Sequence, residues 1–97
     1  MHDLEWSGEV VEWRGPAPYY FVLAPPAEAE WLTDVMPDVT YGWGMVPVHV
    51  RIGATEFTTA MWPRQGTFWL PLKDAARQAE EIEPGDVVRV RVSVRDW

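Results

Sequence analysis

Strict alternation of apolar and polar residues, in short segments bounded by turn residues, is the feature that most constrains the fold. The C-terminal segment shows it most clearly, because Val88, Val90, Val92 and Val94 alternate with Arg89, Arg91, Ser93 and Arg95. Successive side chains of a β-strand point to opposite faces, so this period of two predicts a strand with one buried face. The outward arginines complement Glu5 and Glu9 of the first predicted strand, and we expect the two terminal strands to lie side by side and close a barrel.

A hairpin is predicted in the middle of the chain. Residues 46–52 and 55–61 both alternate, and Gly53 with Ala54 between them suits a two-residue type II′ turn. This register sets one row of pairs on each face: Val50 with Phe57, Val48 with Thr59, Val46 with Met61, and outside Arg51 with Glu56 and His49 with Thr58.

A third strand is expected after this hairpin. Residues 63–66 read as a four-residue turn, which places Phe68 opposite Met61 and Leu70 opposite Thr59. The other face then carries an apolar row too large to be left in water, and we expect it to be covered. That row contains Pro47, Ala60 and Trp69, with Trp62 near the turn.

The first predicted strand covers residues 4–14, with Trp6 and Gly8 on the inner face. The adjacent pair Val10 and Val11 breaks the alternation and predicts a bulge that shifts Trp13 to the inner face, as a core residue like Trp6. A turn over residues 15–18 follows. The resulting pairs are Trp13 with Tyr20 and Val11 with Val22, with Arg14 beside Tyr19.

Two short helices complete the prediction. The first begins at Pro25 and Pro26 and ends at Pro37, with a stripe of Ala27, Trp31 and Val35 and with Leu32 and Met36 beside it. The second spans about residues 72–81, with Arg77 among its solvent-facing residues and a buried stripe of Leu72, Ala75, Ala76, Ala79 and Ile82. The expected architecture is a single mostly-β domain over residues 1–97, a closed or nearly closed, antiparallel-rich barrel of about six strands capped by two short helices.

Composition excludes several classes of function. Fifteen acidic residues against eight basic ones give a net charge of −7, whereas nucleic-acid binding depends on Lys and Arg contacting phosphates. No apolar run approaches the roughly 18 residues that cross a bilayer. The chain has no cysteine, so neither a disulfide nor a cysteine metal site is available. We therefore expect a soluble, acidic, cytoplasmic protein with no nucleic-acid or membrane partner.

Several motifs together resemble a known family. They occupy residues 9–21, 41–48, 52–53, 62–63, 70–72 and 85–86 in this order. In sequence and order they resemble the bacterial domain-of-unknown-function family numbered nineteen-hundred-and-five, over nearly the whole chain. The resemblance implies a small β-barrel with short helices at its ends, and it implies no established activity and no catalytic residues.

The usual catalytic groupings are not found. His2 and His49 are the only histidines, and no zinc-protease spacing, nucleophile elbow or phosphate-binding loop is present. Gly42, Trp43 and Gly44 lack the strand-to-helix context of a dinucleotide site. The acidic run near residues 80–86 lacks the spacing of a calcium loop. We predict no catalytic residue, no metal and no cofactor.

The best candidate site is a surface of aromatic and arginine side chains in predicted loops. Seven residues of the chain are tryptophan, and such rings give large contact areas at little entropic cost. The predicted ligand-binding residues are Arg14, Tyr19, Tyr41, Trp43, Trp62 and Arg64. The alternative interpretation is that several of them only clamp the ends of the barrel.

Three functions remain open from the sequence. The first is a non-enzymatic binding module that takes a small organic ligand or a partner segment at a barrel end or side. The second is a structural domain that forms a homodimer through Pro47, Ala60 and Trp69. The third is a small enzyme of unknown reaction, in which Arg14 or Arg51 orients an anion and a nearby carboxylate acts as base.

Overall fold

The computed structural model describes residues 3–14, 19–39 and 44–95. They form six strands and two helices, with the bounds β1 Asp3–Trp13, β2 Tyr19–Leu23, α1 Pro26–Val39, β3 Val46–Ile52, β4 Thr55–Arg64, β5 Thr67–Pro71, α2 Asp74–Ala79 and β6 Val87–Val94. The strands close into a barrel in the order β1-β2-β5-β4-β3-β6. The prediction of a six-stranded, antiparallel, mostly-β barrel with two helices is confirmed.

Two long strands join the halves of the barrel. β1 pairs with β6 over residues 3–9 and with β2 over residues 10–13. In the same way, β4 pairs with β3 over residues 55–61 and with β5 over residues 62–64. All these pairs are antiparallel, and the predicted contact between the two terminal strands is confirmed.

The central hairpin has the predicted register. Val50 lies opposite Phe57 and Arg51 opposite Glu56. Gly53 has a positive φ of 59°, a backbone conformation that glycine adopts without steric cost and that a type II′ turn needs at its first position.

The register of β4 with β5 differs from the prediction by two residues. Phe68 lies opposite Pro63, and not opposite Met61 as predicted, since Trp62 pairs with Trp69 and Arg64 with Thr67. Only Gln65 and Gly66 form the connection, with φ values of 54° and 77°. Positive φ at both central residues is the mark of a type I′ turn. A shift of two keeps every side chain on its predicted face, so Phe68 and Leu70 still point inward.

The register of β1 with β2 differs from the predicted register by one residue, and this shift moves side chains to the other face of the sheet. Val10 pairs with Val22 and Trp13 with Tyr19, in a continuous ladder without the predicted bulge. Successive side chains of a strand point to opposite faces, so a shift of one residue places each side chain after the predicted bulge on the face opposite to the predicted one. Val10 and Val22 are buried together, and the prediction that Trp13 is a core residue is wrong. Trp6 is buried as predicted.

Helix α1 covers the end of the barrel at which β3 and β5 begin. It continues past Pro37 to Val39, so the predicted stop is wrong. Pro37 lies in the last turn, where its missing N–H and its ring disturb only the bond to the carbonyl of Thr33. The buried face consists of Ala29, Leu32 and Val39, while the predicted Ala27 is exposed.

Helix α2 lies at the opposite end and is shorter than predicted. Of the predicted stripe, only Leu72, Ala76 and Ile82 are buried. The Arg77 side chain does not face water as predicted, because its guanidinium carbon lies 3.8 Å from the centre of the Tyr20 ring. The Tyr20 hydroxyl hydrogen-bonds to Glu12, which raises the pKa of Tyr20 because the bond favours the protonated phenol.

The interior of the barrel is filled by side chains from all six strands. They include Trp6, Val10, Val22, Val46, Val48, Val50, Met61, Phe68, Leu70, Val90 and Val92. Candidate functional groups must therefore be sought on the outer wall. Within the described ranges, no helix has the length and apolarity that a membrane span requires.

Candidate functional site

The outer wall of β1, β2, β4 and β5 carries a continuous group of aromatic rings, which we call the aromatic face. Its members alternate with inward residues along their strands: Trp13, Tyr19, Phe21, Trp62 and Trp69. Cross-strand pairing places Trp13 opposite Tyr19 and Trp62 opposite Trp69. The strand registers therefore determine which rings meet.

Phe21 lies at the centre of the aromatic face. Its ring centroid is 5.2 Å from that of Trp62 and 5.1 Å from that of Trp69, both in edge-to-face geometry. Although it points out of the barrel, Phe21 is only 1% exposed. The surrounding rings thus form a second apolar cluster outside the barrel, held by pairs that are each worth about 0.5–1.5 kcal/mol beyond their buried area.

The part of the aromatic face that Trp13 and Tyr19 form is exposed to solvent. Tyr19 stacks on Trp13 at 6.1 Å and meets Trp62 at 6.2 Å between ring centroids. Trp13 is 39% exposed and Tyr19 is 46% exposed. Exposed large rings on a buried aromatic base are typical of interaction surfaces.

Two arginines border the aromatic face. The guanidinium carbon of Arg64 lies 5.1 Å from the centroid of Trp69, within cation–π range. Arg14 follows Trp13, and its Nε donates to Glu12 Oε1 at 3.3 Å. The indole Nε1 of Trp69 is buried without a hydrogen-bond partner. The face therefore combines an apolar centre with one cation, Arg64, at its edge, since Glu12 pairs with the charge of Arg14.

The structure brings several of the predicted ligand-binding residues together. Tyr19, Trp62 and Arg64 belong to or border the aromatic face, and Arg14 lies beside it. Tyr41 and Trp43 lie outside the described residues. Phe21 was not among the predicted ligand-binding residues. Its outward position follows from strand alternation, because the adjacent Val22 points inward.

Two of the three predicted dimer residues are buried within the domain. Pro47 and Ala60, which pair across β3 and β4, are both buried. Trp69 is half-buried within the aromatic face. A second copy would therefore meet this row at Trp69, through the aromatic face.

A second group of side chains lies on the opposite wall and is called here the arginine face. It consists of Glu5, Arg51, Arg89 and Arg91 and surrounds a cleft of about 490 Å³ that Gly53 also lines. Arg89 Nη2 lies 3.1 Å from Glu5 Oε1, and Arg91 Nη2 lies 3.9 Å from Glu5 Oε2. The predicted match between Glu5 and the outward arginines is confirmed.

The arginines lower the pKa of Glu5 below its ordinary value of 4.5, first through the hydrogen bond from Arg89 and then through its charge. A lowered carboxyl pKa stabilises the fold above the ordinary pKa, and this contribution is lost as the pH falls through the folded-state value.

We expect a carbon-detected NMR titration to give a Glu5 midpoint below 4.5, and Arg89→Gln to return it towards 4.5. Lys73→Gln, which removes a distant charge, should leave the midpoint in place; an equal change in both variants would contradict the assignment.

The other polar contacts among the described residues are few and lie on the outer wall or beside α1. His49 Nε2 contacts Glu56 Oε1 at 3.2 Å on the exposed outer wall. A smaller cleft of about 310 Å³ beside α1 is lined mainly by small residues, with Glu30 as its one charged group. Among the described residues, no three His, Asp or Glu side chains are grouped to hold a metal ion.

Comparison with protein families gives one match. The model of the family described as Domain of unknown function (DUF1905) matches residues 6–92. This range contains all the strands in whole or in part and both helices. Comparison with curated proteins gives no match.

Proposed function

The chain belongs to the DUF1905 family, and we propose that it is a non-enzymatic binding module that receives an extended segment of a partner protein on its aromatic face. The observation that carries this proposal is the exposure of Trp13 and Tyr19 above the buried ring of Phe21. A rigid base with exposed rings gives a ligand a large apolar contact without much loss of side-chain entropy.

The shape of the aromatic face favours an extended segment over an enclosed small molecule. The face lies on the convex wall of the barrel, and its rings line neither of the two clefts described above. Successive rings are 6.1 and 6.2 Å apart from Trp13 through Tyr19 to Trp62. A fully extended segment carries alternate side chains on one face and advances about 6.6 Å per two residues, so its alternate side chains match the spacing of the rings.

The border of the face adds a preference for charge. Arg64 lies over Trp69, so one end of the aromatic face carries a cation, whereas the Arg14 guanidinium is paired with Glu12. Proline-rich segments bind aromatic grooves because their extended form is already ordered. The partner segment that fits is therefore proline-containing and has an acidic residue at the Arg64 end of its apolar part.

Binding is tested with fluorescently labelled peptides that contain proline and acidic flanks, measured by polarisation. We expect binding to weaken at least about tenfold in Trp13→Ala, because exposed central rings contribute most of the energy of such contacts. Val87→Ala is the matched control, since Val87 is a 72% exposed apolar residue elsewhere. Equal affinities in the two variants, or no peptide binding at millimolar concentration, would reject the proposal.

Self-association through the same rings is the second candidate, because the exposed part of the aromatic face is continuous with Trp69. Sedimentation equilibrium at micromolar concentration separates the two. Under the peptide-binding proposal the free chain is a monomer at this concentration. A dimer that Trp13→Ala dissociates would instead support the homodimer.

A further inference from the structure

The arginine face contains two arginines placed directly side by side. Arg91 of β6 pairs with Glu5 on one neighbouring strand and with Arg51 on the other. Arg51 in turn lies opposite Glu56. The outer wall thus has a row in the order Glu, Arg, Arg, Glu across four strands, with the two cations adjacent at its centre.

The carboxylates of this row make their shortest contacts with residues outside the central pair. Glu56 contacts His49, and Arg51 Nε donates to the carbonyl of Gly53 at 3.1 Å. Glu5 makes its shorter contact with Arg89, at 3.1 Å, and lies 3.9 Å from Arg91. The lining of the cleft therefore carries three guanidinium groups and one carboxylate, while the carboxylates of Glu56 and Glu80 lie at its edge, beside Arg51 and Gly53.

Two like charges directly opposite each other on neighbouring strands destabilise a sheet. Their Cβ atoms are about 5 Å apart in such a pair, close enough for both guanidinium groups to contact one bound anion. An anion between them removes the repulsion and gains charge-assisted hydrogen bonds, which are stronger than neutral ones. Four of the eight basic residues of the chain lie on these two strands or next to them: Arg51 on β3, Arg89 and Arg91 on β6, and Arg95 directly after β6.

We propose that the arginine face binds the phosphate group of a small phosphorylated compound between Arg51 and Arg91. A phosphate monoester carries a charge close to −2 at neutral pH and has oxygens enough to accept from both guanidinium groups, whereas a carboxylate carries −1. Arginine presents its N–H groups in a fork that fits phosphate oxygens. The cleft of about 490 Å³ lies within the usual range for small-molecule sites, so it has room for the group that carries the phosphate.

The site is tested by titrating the ¹⁵N-labelled chain with inorganic phosphate at constant ionic strength and following the Nε–H signals of arginine by NMR. We expect saturable shifts of the Arg51 and Arg91 signals at millimolar phosphate, and at least about tenfold weaker binding in Arg51→Gln, because the variant loses the charge-assisted hydrogen bonds of one guanidinium group. Lys73→Gln removes one positive charge from an exposed position outside the cleft. This control should bind phosphate as the unchanged protein does.

Two further measurements test the proposal, one with acetate in place of phosphate and one with the variant Glu56→Gln. Acetate at the same ionic strength should bind at least about tenfold more weakly than phosphate, since it carries half the charge. Glu56→Gln removes the carboxylate that lies opposite Arg51 and should leave phosphate binding equal or tighter. Linear, unsaturable shifts, equal effects of acetate and phosphate, or equal losses in Arg51→Gln and Lys73→Gln would each overturn the proposal. These measurements do not involve the aromatic face and are independent of peptide binding there.

Discussion

Replacement of Phe21 by alanine is expected to lower the free energy of unfolding by about 3–5 kcal/mol, the range for a fully buried aromatic residue. Phe21 lies outside the barrel, yet it is 1% exposed and touches three other rings. Its removal leaves a hole beneath Tyr19, Trp62 and Trp69 that the rigid strands cannot close. A loss of this size is a large part of the stability of a domain of this length.

Urea unfolding followed by circular dichroism measures the effect of Phe21→Ala. Phe57→Ala is a matched control, because Phe57 is the same residue type and is only half-buried. We expect the loss for Phe57→Ala to be clearly smaller. If the two variants lose the same free energy, the outer rings do not form the packed cluster described above.

A valine in place of Gly8 is expected to destabilise the barrel by about 3 kcal/mol, at the upper end of the range for overpacked cores. Gly8 points inward on β1, and a Cβ atom there would lie 2.8 Å from Cγ1 of Val22 and 3.5 Å from Nε1 of Trp6. Val22 is fully buried and β-branched, so it has no free rotamer into which to move. The backbone of Gly8 is not among those with positive φ, so the cost is steric and not conformational.

Thermal unfolding gives the size of the Gly8→Val effect, since 1 kcal/mol corresponds to about 4–8 °C for a domain of 60–100 residues. Ser7→Val is the control, because Ser7 is the adjacent residue on the same strand and faces solvent. Valine suits an exposed strand position, and we expect little change in Tm. A comparable fall in both variants would mean that Gly8 does not face the filled interior.

The sequence was most informative where turn chemistry and alternation agree. In the β3–β4 hairpin, Gly53 determines a two-residue turn and thereby the pairing of Val50 with Phe57. The alternating valines of β6 likewise determined its inner face and its contact with Glu5. In both cases a one-residue slip would expose a row of valines, so no other register competes.

The errors arose where a local rule was overruled by packing. Gln65 adopts a positive φ of 54°, which is uncommon for residues other than glycine, so a longer turn was expected. The pair Val10 and Val11 suggested a bulge, but Val11 tolerates the outer face because the neighbouring aromatic residues make that face apolar. The position of Trp13 on the aromatic face followed from this and could not be derived from the strand alone.

The closed circuit of strands has a consequence for solubility. In β3 three valines and Ile52 alternate with Pro47, His49 and Arg51, and in an open sheet the edge of this strand would be a template for intermolecular strand addition. Here it is hydrogen-bonded to β4 on one side and to β6 on the other. Because both of its edges are occupied, another chain can pair with β3 only after a neighbouring strand has been displaced. Ring closure thus protects both edges of this strand, which in an open sheet would depend on Pro47 and Arg51 alone to oppose pairing with another chain.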